Sequence, residues 1–257
     1  MMLQTTRRSI ALLLGASVLA GSSLAYAQTP AAPSSGLPGY LLVVGKTTDR
    51  ARIGGYAASL PPIYASHNAY YLAIGGAGRG VTWLEGPWQD RSIIFGKFPS
   101  RSEVDAFWWG DAYRAAIRKR DNAGVFSVVA MEGSSPLSFE GLGTGFLFVM
   151  TAPRDGSSQQ AMVSQQAAQA LWQGVESSGG VMLTSINAGR FTAMEGDTVF
   201  DRYSVAAWPS VSQRDAYLTS SAARRAARLR RKLGLSAVAS AEGVARTQAP
   251  PAATPQN

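Results

Sequence analysis

The chain has 257 residues, 46% hydrophobic and 16% charged, with a formal net charge of +8 and no cysteine. Without cysteine there is no disulfide, no thiolate nucleophile and no cysteine metal site, so a packed core must hold the fold together. The charge excludes less than it suggests: six basic residues (Arg224, Arg225, Arg228, Arg230, Arg231 and Lys232) share one segment, and without them and Arg7 and Arg8 the basic and acidic residues balance at 16 each.

Residues 1–27 read as an export signal, with Arg7 and Arg8 ahead of an apolar stretch and Ala25-Tyr26-Ala27 as a small-residue cleavage site. Thr6-Arg7-Arg8-Ser9-Ile10 is similar to a twin-arginine motif, although Ala11 stands where that motif prefers leucine. Ordinary and twin-arginine export both stay open, and either makes the mature protein periplasmic or secreted. No later window is long and apolar enough to span a bilayer, so no transmembrane segment is expected after signal removal. Residues 28–38, with three prolines, read as a flexible leader.

Tyr40 to Thr47 is an apolar, Val- and Leu-rich run that predicts a strand. Asp49 caps a helix running towards His67, with an interruption expected at Pro61-Pro62. Tyr70 to Ile74 and Val81 to Glu85 read as strand on either side of Gly75-Gly76-Ala77-Gly78, a bulge or kink. A strand at Ser92–Phe98 follows, then a capping box at Ser100 and Glu103 that opens a helix broken at Gly110-Asp111. Val125 to Glu132 is the last strand of this unit, residues 39–133. A linker covers 134–144, a second unit 145–243, and a disordered tail is expected over 244–257.

The second unit repeats the first. Glu85-Gly86 returns as Glu195-Gly196, Phe98-Pro99-Ser100 as Trp208-Pro209-Ser210, Arg120 as Arg230 and Glu132-Gly133 as Glu242-Gly243, all 110 positions later. Twice, the order is strand, helix, strand, strand, helix, strand. That order predicts an α+β chain of two ferredoxin-like βαββαβ repeats, each a four-stranded antiparallel sheet with both helices on one face. The bare sheet faces would then cover each other.

The ordered set Gly39-Tyr40, Leu84-Glu85-Gly86, Phe98-Pro99-Ser100, Tyr113-Arg114-Ala115-Ala116-Ile117, Arg120 and Glu132-Gly133 resembles domain-of-unknown-function family 1330. The resemblance covers 39–133 well and 145–243 more loosely. It implies the dimeric α/β barrel class, here as an intramolecular pair of tandem copies. Barrels of that class include cofactor-independent oxygenases, small-molecule isomerases and haem enzymes, but fold alone does not transfer function.

Several residues could carry chemistry. Glu85 shares a strand face with Val81 and Trp83, so burial could make it a general acid or base; it could equally be a strand-end carboxylate facing solvent. Arg120 could fork onto a carboxylate ligand or pair internally with Glu85 or Asp111. Residues 39–133 hold 14 aromatics against 8 in 145–243, which points to a first-unit cleft walled by Tyr56, Trp83 and Tyr113. The expected occupant is a small aromatic or carboxylated molecule, with cofactor-free acid/base or oxygen chemistry as the possible reaction. His67 is the only histidine, read as a loop residue, and no metal site or cofactor is expected. The alternative is a non-enzymatic module that docks on an anionic envelope partner through helix 221–234, where Arg224, Arg228 and Arg231 share a stripe. No nucleic-acid motif accompanies that stripe.

Overall fold

Along the first strand, β1 (Gly39–Thr47), side chains alternate between two buried faces. Tyr40, Leu42 and Val44 enter one core, while Leu41 and Val43 pack into another. The computed structural model describes residues 36–187 and 190–246. The expected export signal and nearly all of the leader and tail lie outside these residues.

After β1 come α1 (Arg50–Ser66), β2 (Tyr70–Ala77), β3 (Gly80–Glu85), β4 (Ser92–Phe98), α2 (Arg101–Trp109), α3 (Asp111–Ile117) and β5 (Gly124–Glu132). The second half holds β6 (Gly145–Ala152), α4 (Ser158–Ser177), β7 (Val181–Asn187), β8 (Thr192–Glu195), β9 (Arg202–Trp208), α5 (Val211–Thr219), α6 (Ser221–Arg230) and β10 (Leu235–Glu242). The ten strands form one sheet in the order β7-β9-β6-β10-β3-β2-β4-β1-β5-β8. Its two outermost strands, β7 and β8, are neighbours in the chain. Ser134 N–H also bonds the Leu183 carbonyl of β7 at 2.7 Å just beyond the end of β5, so the sheet curls back on itself.

Two short strands cross between the halves. β3 continues β2 in sequence but pairs antiparallel with β10, matching Glu85 to Val238. β8 continues β7 and pairs antiparallel with β5, matching Glu195 to Val128. The kink between β2 and β3 needs glycine: a Cβ on Gly75 would lie 2.7 Å from the Arg79 carbonyl oxygen. The expected bulge is thus a crossing point.

One core lies between the sheet faces. Phe95 of the first half meets Phe146 and Phe148 of the second at ring-centroid distances of 6.1 and 5.4 Å, and Trp88 meets Phe200 at 4.9 Å. Burying a side chain of this size contributes about 2–3 kcal/mol. The two remaining cores lie beneath the helices of each half.

The caps follow the sequence. Asp49, Ser100 and Ser210 each accept a backbone N–H from the third residue on. The expected break in α1 does not occur. The prolines deprive the carbonyls of Ala57 and Ala58 of partners, but both residues are exposed and water can serve them, while Leu60 and Tyr64 anchor the helix in the core. Past β10 the chain remains attached, with Val244 N–H bonded to the Leu72 carbonyl at 3.0 Å. Among the described residues no helix is long and apolar enough to cross a membrane.

Candidate functional site

A 3-10 turn, Arg118–Arg120, follows α3 and swings Arg120 inward, where it is 6% exposed. A guanidinium in that position needs an anion, and the crossing strand β8 brings one. Arg120 Nη1 donates to Glu195 Oε1 at 2.8 Å and Nη2 donates to Oε2, a bidentate fork. The guanidinium carbon lies 4.2 Å from the ring centre of Phe126 and 5.2 Å from that of Tyr56. Behind it, the hydroxyls of Tyr56 and Tyr113 share a hydrogen bond of 2.9 Å. Burial raises the pKa of both tyrosines. Burial, the largest single influence, would lower that of Arg120, but the bonds to Glu195 and the charge interactions with Tyr56, Glu195 and Tyr113 together outweigh it and the net direction is upward. These groups keep their protons and charge at neutral pH.

In front of the ion pair opens a cleft of about 470 Å³, bounded by Trp108, Trp109, Arg114, Arg118, Asn122 and Glu195. Trp109 is 61% exposed. The Arg114 guanidinium stands 5.5 Å from the centre of its ring. Among the described residues neither Arg114 nor Arg118 has an acidic partner within ion-pair distance. The cleft therefore offers an exposed indole beside two cations outside any ion pair, with the Asp121 carboxylate on the same rim.

The structure brings Tyr56, Tyr113 and Arg120 together, but the two tyrosines stand behind the cleft and do not line it. Glu85 and Trp83 are elsewhere, because β3 has crossed to β10. Glu85 takes a fork from Arg230, Nη2 to Oε1 at 2.6 Å and Nε to Oε2 at 3.1 Å, and accepts from Ser236 Oγ at 3.3 Å. Trp83 is buried in the core between the sheet faces, with Nε1 donating to the Arg91 carbonyl at 2.8 Å. The internal partner of Arg120 is thus neither Glu85 nor Asp111 but Glu195. Each crossing strand delivers its glutamate to an arginine of the other half.

His67 is a paired residue, its Nδ1 being 2.6 Å from Glu103 Oε1. The glutamate of the expected capping box is thereby diverted from the cap amide. On α6, Arg230 is buried in its ion pair and Arg224 donates to the Thr219 carbonyl at 2.6 Å. A groove between α4 and α6 is lined by Arg225, Arg228 and Lys232 facing Gln166, Gln169 and Gln173. Of the expected stripe, only Arg228 borders it. The sequence carries little sign of Trp109, Arg114 and Arg118 as site residues. A tryptophan that follows two other aromatics and precedes the helix break was the available sign.

Residues 38–134 match the family described as Domain of unknown function (DUF1330). No curated protein matches the chain. Among solved structures, an anthrone oxidase-like protein is 13% identical at a TM-score of 0.50, covering 86% of this chain and 99% of its own. A candidate monooxygenase from Fusobacterium nucleatum subsp. nucleatum is 6% identical at a TM-score of 0.52, covering 83% and 95%. A heme-binding protein from Thermus thermophilus reaches a TM-score of 0.40 at 9% identity, covering 82% and 93%, and is too distant to bear on the site. Likeness at these identities fixes the fold alone: mixed α+β, of the dimeric α/β barrel type.

Proposed function

We propose that the protein binds a small aromatic carboxylate in the cleft between α3 and β8. The observation that carries this reading is exposed Trp109 standing beside Arg114 and Arg118, two cations without acidic partners. An aromatic ring stacks on the indole while its carboxylate takes charge-assisted hydrogen bonds. Binding is favoured over proton transfer. Glu195, the carboxylate at hand, is held by two guanidinium bonds, and both tyrosines are buried proton donors. A general base must stand within reach of the proton it takes, and the unpaired carboxylate at the cleft, Asp121, sits on the exposed turn after Arg120.

The reading includes an architecture of two ferredoxin-like repeats paired within one chain. Equal strand orders in the halves and the mirrored Glu85–Arg230 and Glu195–Arg120 pairs support it. It also includes export through residues 1–27, in which case mass spectrometry of protein from the periplasm finds Gln28 as the first residue; an intact Met1 would refute export with cleavage at that site.

Benzoate is the test probe. In calorimetric titration the wild-type protein binds it; Arg114→Ala weakens binding at least tenfold, since a hydrogen bond to a charged group contributes about 1.5–3 kcal/mol, and Trp109→Ala weakens it about two- to tenfold by removing the ring stack. Equal affinity in wild type and both variants would refute the reading. The groove between α4 and α6 supports a second reading, in which an anionic envelope polymer is held by Arg225, Arg228 and Lys232. Retention on such a polymer that is lost in a few hundred millimolar salt, and lost in Arg228→Ala, marks that reading; retention unchanged by either would exclude it.

A further inference from the structure

The two halves fill the space beneath their helices differently. In the first half, Tyr113 packs against Phe107 and Trp108 at 4.4 and 4.9 Å between ring centres and its hydroxyl meets that of Tyr56. The residue 110 positions on is Ala223, and Ile117 likewise becomes Ala227. The counterpart of Tyr56 follows from the helix ends. The Tyr64 carbonyl takes the return bond from Ala69 N–H, and the Val175 carbonyl takes it from Gly180 N–H, each at 2.9 Å. Eight residues back from each stand Tyr56 and Ala167. Both tyrosines of the hydroxyl pair are therefore alanine in the second half.

Beside Ala223, where Tyr113 stands in the first half, the space is open. A cavity of about 260 Å³ lies there, walled by Leu147, Val149, Leu171 and Val238, with Ala223 and Ala227 on its helix side. One polar group on its wall lacks a partner. Tyr217 stands where the first half has Phe107, lines the cavity, is 2% exposed and makes no hydrogen bond among the described residues. It is not one of the hydroxyls sealed in the core without a partner, Tyr40 and Tyr203, so its oxygen is reached from the cavity, where a ligand can take the place of water. Burial pushes its pKa up to about 12, against a weaker lowering by Arg230, so at neutral pH it can donate. The Arg230 guanidinium on the same wall is neutralised by Glu85, so there is no spare positive charge for an anion.

We propose that this cavity is a second ligand site, taking a neutral single-ring aromatic molecule whose carbonyl or ether oxygen accepts a hydrogen bond from Tyr217. The size fits: an apolar cavity of about 150 Å³ accommodates benzene, so the space here holds a ring and a small substituent. The site differs from the first-half cleft in polarity; like that cleft it opens at the surface, where Leu84 on its rim is 42% exposed. One half offers two cations to a charged ring, the other a hydroxyl donor to an uncharged one.

Acetophenone is the test probe, titrated calorimetrically into the full chain. Saturable binding is expected. Tyr217→Phe weakens it about two- to tenfold, the range for a neutral hydrogen bond. Ala223→Tyr restores the first-half filling and abolishes binding; should that variant fail to fold, Ala223→Leu fills part of the cavity and weakens binding at least tenfold. Arg114→Ala, in the other cleft, leaves acetophenone binding unchanged. No saturation up to millimolar acetophenone overturns the proposal, as does undiminished binding in a folded position-223 variant. Loss of binding in Arg114→Ala would assign the molecule to the first-half cleft and equally overturn it.

Discussion

Arg120 and Glu195 are sequence neighbours of nothing that would predict their meeting, yet their ion pair organises the cleft. Removing one partner leaves the other charge under-solvated, a loss of about 3–5 kcal/mol where a pair is fully enclosed. Glu195 keeps 30% of its side-chain exposure, so Arg120→Ala is expected to cost about 2–3 kcal/mol by urea denaturation. Arg120→Met with Glu195→Gln should recover part of that loss, and strict additivity would argue against the coupling. The tyrosines give a second prediction at this scale. Burial raises the pKa of Tyr40, Tyr64, Tyr71 and Tyr113 in the fold, whereas unfolded tyrosine titrates near pH 10. Above that pH the unfolded chain releases protons that the fold retains, so stability is full below pH 10 and declines as pH rises beyond it. A melting temperature constant from pH 8 to 11.5 would contradict the assignment of these side chains to the core.

Elements that rest on local signals are legible in the sequence. Caps at Asp49, Ser100 and Ser210, and helix breaks at Gly110 and Ser220, fall where side-chain chemistry places them. What the sequence does not disclose is the destination of β3 and β8. A strand's alternation reports which of its faces is buried, not which sheet edge it joins, so Glu85 and Trp83 could be read into the first half although they serve the second. The positive φ of Gly196 (68°) belongs to this problem: the glycine follows Glu195, and a Cβ there would lie 2.1 Å from the Phe126 carbonyl oxygen. Gly196→Ala should therefore displace β8 and destabilise the fold by about 1–3 kcal/mol. An unchanged urea midpoint would show that the crossing strand is not seated this tightly.

At the scale of the molecule, the 110-residue offset is the most legible feature because the pairs Glu85/Glu195 and Arg120/Arg230 need no gap, and the mixed α+β class is legible in the order of the elements. The differences between the halves are less legible. Tyr113 and Ala223 look like ordinary drift until the cavity around Ala223 is seen. Because aromatic contacts such as Phe95 with Phe148 and two crossing ladders join the halves, they should melt as one unit. Calorimetry should give a single transition with equal calorimetric and van't Hoff enthalpies, and Phe95→Ala should move the whole transition down by several degrees; two separable transitions would contradict the shared core. The central claim concerns the cleft at Trp109, and a crystal soaked with 4-bromobenzoate tests it most directly through the anomalous signal of bromine. The account predicts a peak over the Trp109 indole with the carboxylate turned to Arg114 and Arg118; a peak at another site, or none at a concentration that saturates the protein in solution, would contradict it.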